Sequence, residues 1–344
     1  MHAIIHIGAA KTGTTSIQRF LSDNRQLLRD QGVVYPQYLP PWRKPQPRGA
    51  VDHNYMCERP LEALCEPFRA ECRAGGSSIR LLLSSENLSQ LLVARERLEG
   101  LHRFIEELGC TDVSIVVWLR ETGAMFTSLC SQWLRNGFPE YTHLLPPRAH
   151  ARFCLIMDYR GLLQRWAEVF GREALVVRLF ERECFVQGDL LHDAVDAFGL
   201  EWDERFKTPP RVNETLNLLE IEVLRVVNHL IDGPIYFQGT PKHLLAQVIS
   251  EHLGALDGPQ LRFAPPGEIV QAWREWAAEG NEWVRQEFFP DRPTLFAPPR
   301  EQEENFELTQ LTPGCWEALG RVMAELSEEN CRLRAQLQQV RAGS

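Results

Sequence analysis

The chain has 344 residues, 44% of them hydrophobic, and a formal net charge of −9, which sets its pI near 5.7. That is enough apolar material for a real core in one large domain or two modest ones. The acidic balance excludes a general nucleic-acid or membrane-surface binder, while leaving room for a local basic pocket around a small anion. No 18-residue apolar span occurs, and residues 3–7 are too short for a signal-peptide core, so the expectation is a cytoplasmic chain without a membrane span.

The first element is the apolar run Ile4-Ile5-His6-Ile7, which breaks at Gly8 and restarts at Ile17-Gln18-Arg19-Phe20. It reads as strand, anion-binding loop, helix. Small residues let backbone N–H groups close around an oxyanion, and the helix start adds the positive end of its dipole. Lys11 contributes a charge, and Thr14, Thr15 and Ser16 contribute three hydroxyl donors. Apolar residues at 17, 20, 21, 27 and 28 predict one helix over residues 15–30. The lysine precedes the second glycine, whereas the nucleotide-triphosphate loop G-x-x-x-x-G-K-[ST] places it after.

Residues 36–60 hold several prolines and predict a long irregular excursion of the kind that lines substrate clefts. It carries His53, a candidate substrate contact and a rival general base. β-rich runs at 3–7, 79–84, 113–119 and 175–179, separated by stretches of helical periodicity, predict a parallel α/β sheet. Leu81-Leu82-Leu83 ends in Ser84-Ser85-Glu86, and in open α/β sheets the carboxyl ends of strands face the ligand crevice. That makes Glu86 the candidate general base near Lys11, the alternative being a carboxylate that merely favours the start of a helix. The third run delivers Arg120 at its end, and Ser128 follows eight residues later, about two helical turns on.

After Pro209-Pro210, Arg211 and Asn213 form either a polar cap on a nucleotide or a solvated turn. Beyond Gly233 the β pattern fades, and 242–253 and 266–289 read as helices whose Trp273, Trp276 and Trp283 are assigned to core packing rather than to a sugar platform. At the C-terminus Leu319, Leu326, Leu333 and Val340 recur every seven residues, with Met323, Asn330 and Leu337 four residues after the first three. This short heptad seam predicts a homodimer, the alternative being a helix laid on its own domain. The expected division is 1–233 for the α/β core, 234–315 for a mainly helical extension and 316–344 for the C-terminal helix. Nine cysteines without a C-x-x-C pair point to reduced thiols, and the spacing of Cys57, Cys65 and Cys72 fits no common metal site.

The order Gly8-x-x-Lys11-Thr12-Gly13-Thr14-Thr15 resembles the 5′-phosphosulfate loop of sulfotransferases that use 3′-phosphoadenylyl sulfate (PAPS). Arg120 at a strand end with Ser128 on the next helix resembles that family's 3′-phosphate site. The resemblance implies a P-loop NTPase-like three-layer α/β sandwich, with PAPS as co-substrate, adenosine 3′,5′-bisphosphate as product and no metal. It implies that Lys11, Thr12, Gly13, Thr14, Thr15 and Ser16 hold the phosphosulfate, that Arg120 and Ser128 hold the 3′-phosphate, and that Arg211 and Asn213 lie near the cofactor. A glutamate base such as Glu86 is similar to the carbohydrate branch, which implies a carbohydrate or glycoconjugate hydroxyl as acceptor; a histidine base is the habit of the small-phenol branch.

The lack of a membrane anchor is similar to bacterial soluble members. The match departs where many members have a proline two residues after the arginine and this chain has Thr122, and where the small-phenol Arg-Lys-Gly ending is missing. It covers roughly residues 1–215. Two rival functions remain: a nucleotide-dependent phosphotransferase, which would show lysine directly before Ser/Thr and a magnesium-binding aspartate at a strand end, and a non-catalytic nucleotide-binding protein, which would need no base.

Overall fold

The computed structural model describes residues 1–40, 52–57, 61–74, 79–91, 94–138, 145–210, 216–231, 241–298 and 303–342. Five strands, β1 (His2–His6), β2 (Val33–Val34), β3 (Arg80–Ser84), β4 (Asp112–Leu119) and β5 (Leu175–Leu179), form one all-parallel sheet in the order β2-β3-β1-β4-β5. Parallel neighbours need crossovers. α1 (Thr14–Asp23) and α2 (Arg25–Asp30) follow β1, and α3 (Cys65–Ala74) precedes β3. α4 (Asn87–Leu91) and α5 (Arg95–Glu107) join β3 to β4; α6 (Thr122–Arg135), α7 (Ala151–Met157) and α8 (Tyr159–Phe170) join β4 to β5. After β5 come α9 (Leu190–Ala197), α10 (Leu218–Leu230), α11 (Pro241–Leu253), α12 (Gly267–Phe288) and α13 (Pro313–Ala342). The fold is the α/β class expected, a parallel sheet flanked by helices with further helices toward the C-terminus.

Ile4, Leu82, Val116 and Trp118 turn to one face of the sheet and are buried against Ile17, Phe20 and Leu21 of α1 and Leu191, Ala194 and Val195 of α9. Their alternates Ile5, Leu83, Ile115 and Val117 are equally buried. A strand covered on both faces reads as a continuous apolar run, which is why these strands were legible. The helix expected over residues 15–30 is two helices, because Asn24 departs from helical backbone (φ −114°, ψ 17°). Its buried amide donates to the Phe20 carbonyl (2.8 Å) and the Lys207 carbonyl (2.9 Å) and accepts the Lys207 N–H (2.8 Å). A short polar side chain that satisfies local backbone groups competes with the helix. The two-residue β2 was not anticipated.

The chain divides into two compact units that interleave in sequence: residues 1–125, 151–212 and 276–298 form the first, and 126–150, 213–275 and 299–344 the second. The breaks at 125 and 275 fall inside the continuous helices α6 and α12. In the second unit, α10 opens with a capping box in which Asn217 accepts the Glu220 N–H and Glu220 accepts the Asn217 N–H (both 2.9 Å). Trp273 is fully buried there, donates to the Leu145 carbonyl (3.1 Å) and stacks on Phe126, the core role expected of it. α13 buries Cys315, Ala318 and Val322, whereas Met323 and Leu333 of the heptad seam are 71% and 48% exposed.

One buried ionic knot joins sheet and helix in the first unit. The Asp193 carboxylate, on α9, accepts from Trp118 Nε1 (2.7 Å), Arg178 Nη1 (3.3 Å) and the Val186 N–H (3.2 Å). Removing Asp193 leaves the Trp118 Nε1–H and the Val186 N–H without this acceptor, while the partly exposed Arg178 keeps Asp196. Asp193→Ala is expected to lower the unfolding free energy by roughly 1–3 kcal/mol, read from the urea midpoint at constant slope; a loss below 1 kcal/mol would show that the knot contributes little.

Candidate functional site

β1 runs into the loop at residues 7–13, whose shape rests on two glycines and one strained lysine. A Cβ at Gly8 would sit 2.5 Å from Thr14 Oγ1, and one at Gly13 (φ 76°) would sit 2.3 Å from Leu190 Cδ2. Lys11 itself is left-handed at φ 60°, a conformation that costs roughly 1–2 kcal/mol for an L-residue. The Thr12 hydroxyl donates to the Ala9 carbonyl (2.7 Å), and Thr14 Oγ1 reaches the same oxygen at 3.4 Å. Both threonines are buried, so the hydroxyl expected from Thr14 is turned inward as a staple of the loop, while Thr15 is exposed and Ser16 half-exposed. α1 starts at the N-cap Gly13 with no side-chain cap. Its first-turn N–H groups are therefore left to water or a ligand.

Arg120 follows β4 and reaches this loop directly, its Nη1 donating to the Lys11 carbonyl (2.8 Å). Its guanidinium lies over the Phe180 ring, 5.5 Å from the centroid. Tyr159 fixes its backbone by donating to the Arg120 carbonyl (2.7 Å) and accepting the Arg120 N–H (3.3 Å). Burial lowers the guanidinium's pKa from its ordinary value, partly offset by Tyr159. Thr122 opens α6 where proline was the alternative, and Glu121 caps that start by accepting the N–H groups of Gly123 (3.0 Å) and Ala124 (2.8 Å). Ser128 is buried further along α6, among the residues of the second unit. Arg211 and Asn213 lie outside the described residues.

Glu86 occupies the turn between β3 and α4, at the same sheet edge as the loop because Ser84 pairs in register with His6. The Ser85 N–H donates to the His6 carbonyl (3.0 Å), and Ser89 Oγ lies 2.9 Å from the carbonyl oxygens of both Gly8 and Glu86, its single proton shared between them. The glutamate's turn is thus tied to the loop at residues 7–13.

His53, the rival base, is fully buried. Its Nδ1 accepts the Ser84 N–H (3.0 Å) and its Nε2 faces the Pro36 carbonyl (3.3 Å), so the ring carries its proton on Nε2. Burial pulls its pKa down to about 4. These contacts make His53 a brace of the β3 terminus. His6 Nδ1 meets Ser84 Oγ at 2.8 Å, and burial pulls its pKa to about 3.

Sequence reasoning missed a cavity of about 560 Å³ beside the loop, lined by Ser16, Arg182, Phe185, Gln187, His192 and Trp202 among others. Trp202 stacks on His192 with ring centroids 3.6 Å apart. Gln187 stands in left-handed backbone at φ 54°. The aromatic residues and Gly188 after β5 were the available signal. Cys65, Cys72, Cys110, Cys130, Cys184, Cys315 and Cys331 form no disulfide, and among the described residues no cluster of His, Cys, Asp or Glu is arranged to hold a metal. No helix among them is long and apolar enough to cross a membrane.

No family model matches the chain. An uncharacterized protein of Archaeoglobus fulgidus is 26% identical over 116 residues, which are 29% of this chain and 32% of that one, so the match spans about a third of the relative's length. Among solved structures, a sulfotransferase from Alicyclobacillus acidocaldarius is similar at 17% identity and a TM-score of 0.38, over 61% of this chain and 85% of that one.

His6 and His53 also give the fold a pH dependence. Both are held neutral below their ordinary value of 6.5, so between that value and about 3–4 the unfolded chain binds the extra protons. Stability is therefore complete above pH 6.5 and is lost as the pH falls through this window. Urea midpoints measured from pH 7 to 4 are expected to fall, and His53→Gln is expected to flatten that slope; an unchanged slope would remove His53 from the account.

Proposed function

We propose that this chain is a sulfotransferase that moves a sulfuryl group from PAPS to a hydroxyl of a carbohydrate or glycoconjugate acceptor. The observation that carries the reading is the guanidinium of Arg120 bonded to the Lys11 carbonyl. It joins a loop of phosphosulfate type to an arginine of 3′-phosphate type at one sheet edge, with Glu86 on the neighbouring strand end. A phosphotransferase is less favoured, because Lys11 precedes Gly13 and the ends of β3 and β4 supply Glu86 and Arg120 rather than a magnesium-binding aspartate.

In this reading the first-turn N–H groups of α1 and the Lys11 ammonium hold the 5′-phosphosulfate. The remaining N–H groups of Arg120 serve the 3′-phosphate, and the cavity beside Ser16 takes the nucleoside between apolar and aromatic walls. The acceptor oxygen attacks sulfur in line and forms the new S–O bond as the bond to the 5′-phosphate oxygen breaks. Its proton passes to the Glu86 carboxylate, and the leaving bisphosphate takes the electron pair, its growing charge met by Lys11.

The acceptor's class rests on the glutamate alone. Glu86→Gln is expected to keep calorimetric affinity for adenosine 3′,5′-bisphosphate and to cut turnover by about 10²–10⁴-fold, whereas Lys11→Ala is expected to lose both. Bisphosphate affinity unchanged in a folded Lys11→Ala protein would overturn the reading.

The exposed Met323 and Leu333 of the α13 seam support a homodimer in the same proposal. Asn330 sits at a core position and Glu329 and Arg334 at flanking ones, as in parallel two-stranded coils. Sedimentation is expected to show a dimer at micromolar concentration that a chain ending at residue 326 no longer forms; a monomeric intact chain would refute it.

A further inference from the structure

Glu86 stands in a short turn that needs support from both sides. Only Ser85 and Glu86 separate β3 from α4, and α4 is five residues long, too short to be stable by helix propensity. Besides the bonds from Ser85 and Ser89 on the loop side, the turn is held from its far side by residues 52–54. The His53 N–H donates to the Ser84 carbonyl (2.9 Å), and the Ser84 N–H donates back to His53 Nδ1 (3.0 Å). Asn54 then spans the glutamate: its Oδ1 accepts from Ser85 Oγ (2.8 Å) on one side and from the Asn87 N–H (3.2 Å) on the other. A backbone N–H only donates, so the atom facing Asn87 is the amide oxygen. Asn54 is itself fixed, its N–H donating to Asp52 Oδ1 (3.0 Å).

We propose that Asn54 is a positioning residue for the general base, holding the Ser85–Asn87 backbone so that the Glu86 carboxylate is presented to the acceptor; this rests on the sulfuryl-transfer reading above. The bridge sets where Glu86 stands without itself touching substrate or nucleotide. A misplaced base slows proton removal and leaves nucleotide binding alone. The group that does the holding is an acceptor oxygen, which aspartate also provides. An aspartate there brings a second negative charge close to Glu86, which disfavours the glutamate's ionised form.

The test uses the full chain with PAPS and water as acceptor, following release of adenosine 3′,5′-bisphosphate, and calorimetry with the bisphosphate itself. Asn54→Ala is expected to lower kcat at least 10-fold, with KM for PAPS and Kd for the bisphosphate within about 2-fold of the wild type. Asn54→Asp is expected to recover most of kcat and to shift the acid limb of the pH–kcat profile upward. A purely structural role would lower the melting temperature of both variants and leave the profile in place, which overturns the proposal. Wild-type kcat in Asn54→Ala, or kcat and affinity falling together, overturns it too. A wild-type chain that fails to bind the bisphosphate overturns the sulfuryl-transfer reading and this inference with it. One that binds the bisphosphate but does not release it from PAPS overturns the role of Glu86 as base, and with it the role of Asn54.

Discussion

β1 is hydrogen-bonded to β3 on one side and β4 on the other, with His6 level with Ser84 and with Val116. Because all three strands run the same way, their carboxyl ends arrive at one edge, and the chain has to turn there three times. The turns are the loop before α1, the Ser85–Glu86 corner and the step from Leu119 to Arg120. Register therefore decides that an ammonium, a carboxylate and a guanidinium share an edge. A slip of one residue in β3 would turn Leu82 from its core face and carry Glu86 with it.

The same edge is built from buried polar groups that give up their charge or are fully partnered. His6 packs against the rings of Trp118 and Phe198 and is kept neutral by burial. Positive charge at the loop thus comes from Lys11 and Arg120 rather than from the imidazole beneath it. Trp118 in turn is held by Asp193, whose charge is met by Arg178. A buried carboxylate against Trp118, two residues before Arg120 in the chain, would otherwise be costly.

Much of this was legible because it depends on local periodicity. Continuous apolar runs gave four of the strands, and small residues around Lys11 gave the loop. The division of hydroxyls within the loop was not legible: Thr12 and Thr14 face inward while Thr15 is exposed, a distinction set by the αL turns at Lys11 and Gly13. Nor was the break at Asn24, which depends on Lys207, 183 positions away. His53 read as a possible base since an isolated histidine in a proline-rich stretch carries no sign of burial; only its bonds to Ser84 and Pro36 show how it is used. Interleaving of the two units escaped composition because the boundaries at 125 and 275 lie inside helices.

The bond from Arg120 to the Lys11 carbonyl has an electrostatic side as well. A strained turn that points N–H groups at an anion must put its carbonyl oxygens somewhere, and their lone pairs repel the same anion. Arg120 covers one of them with a single N–H, and a guanidinium has five. In the proposed reading the remaining donors are free for a second phosphate, so one planar group of fixed width both shields the first anion site and marks the distance to the next. Such a rigid spacer measures a ligand: a nucleotide whose two charged ends are set closer together or further apart cannot satisfy both at once.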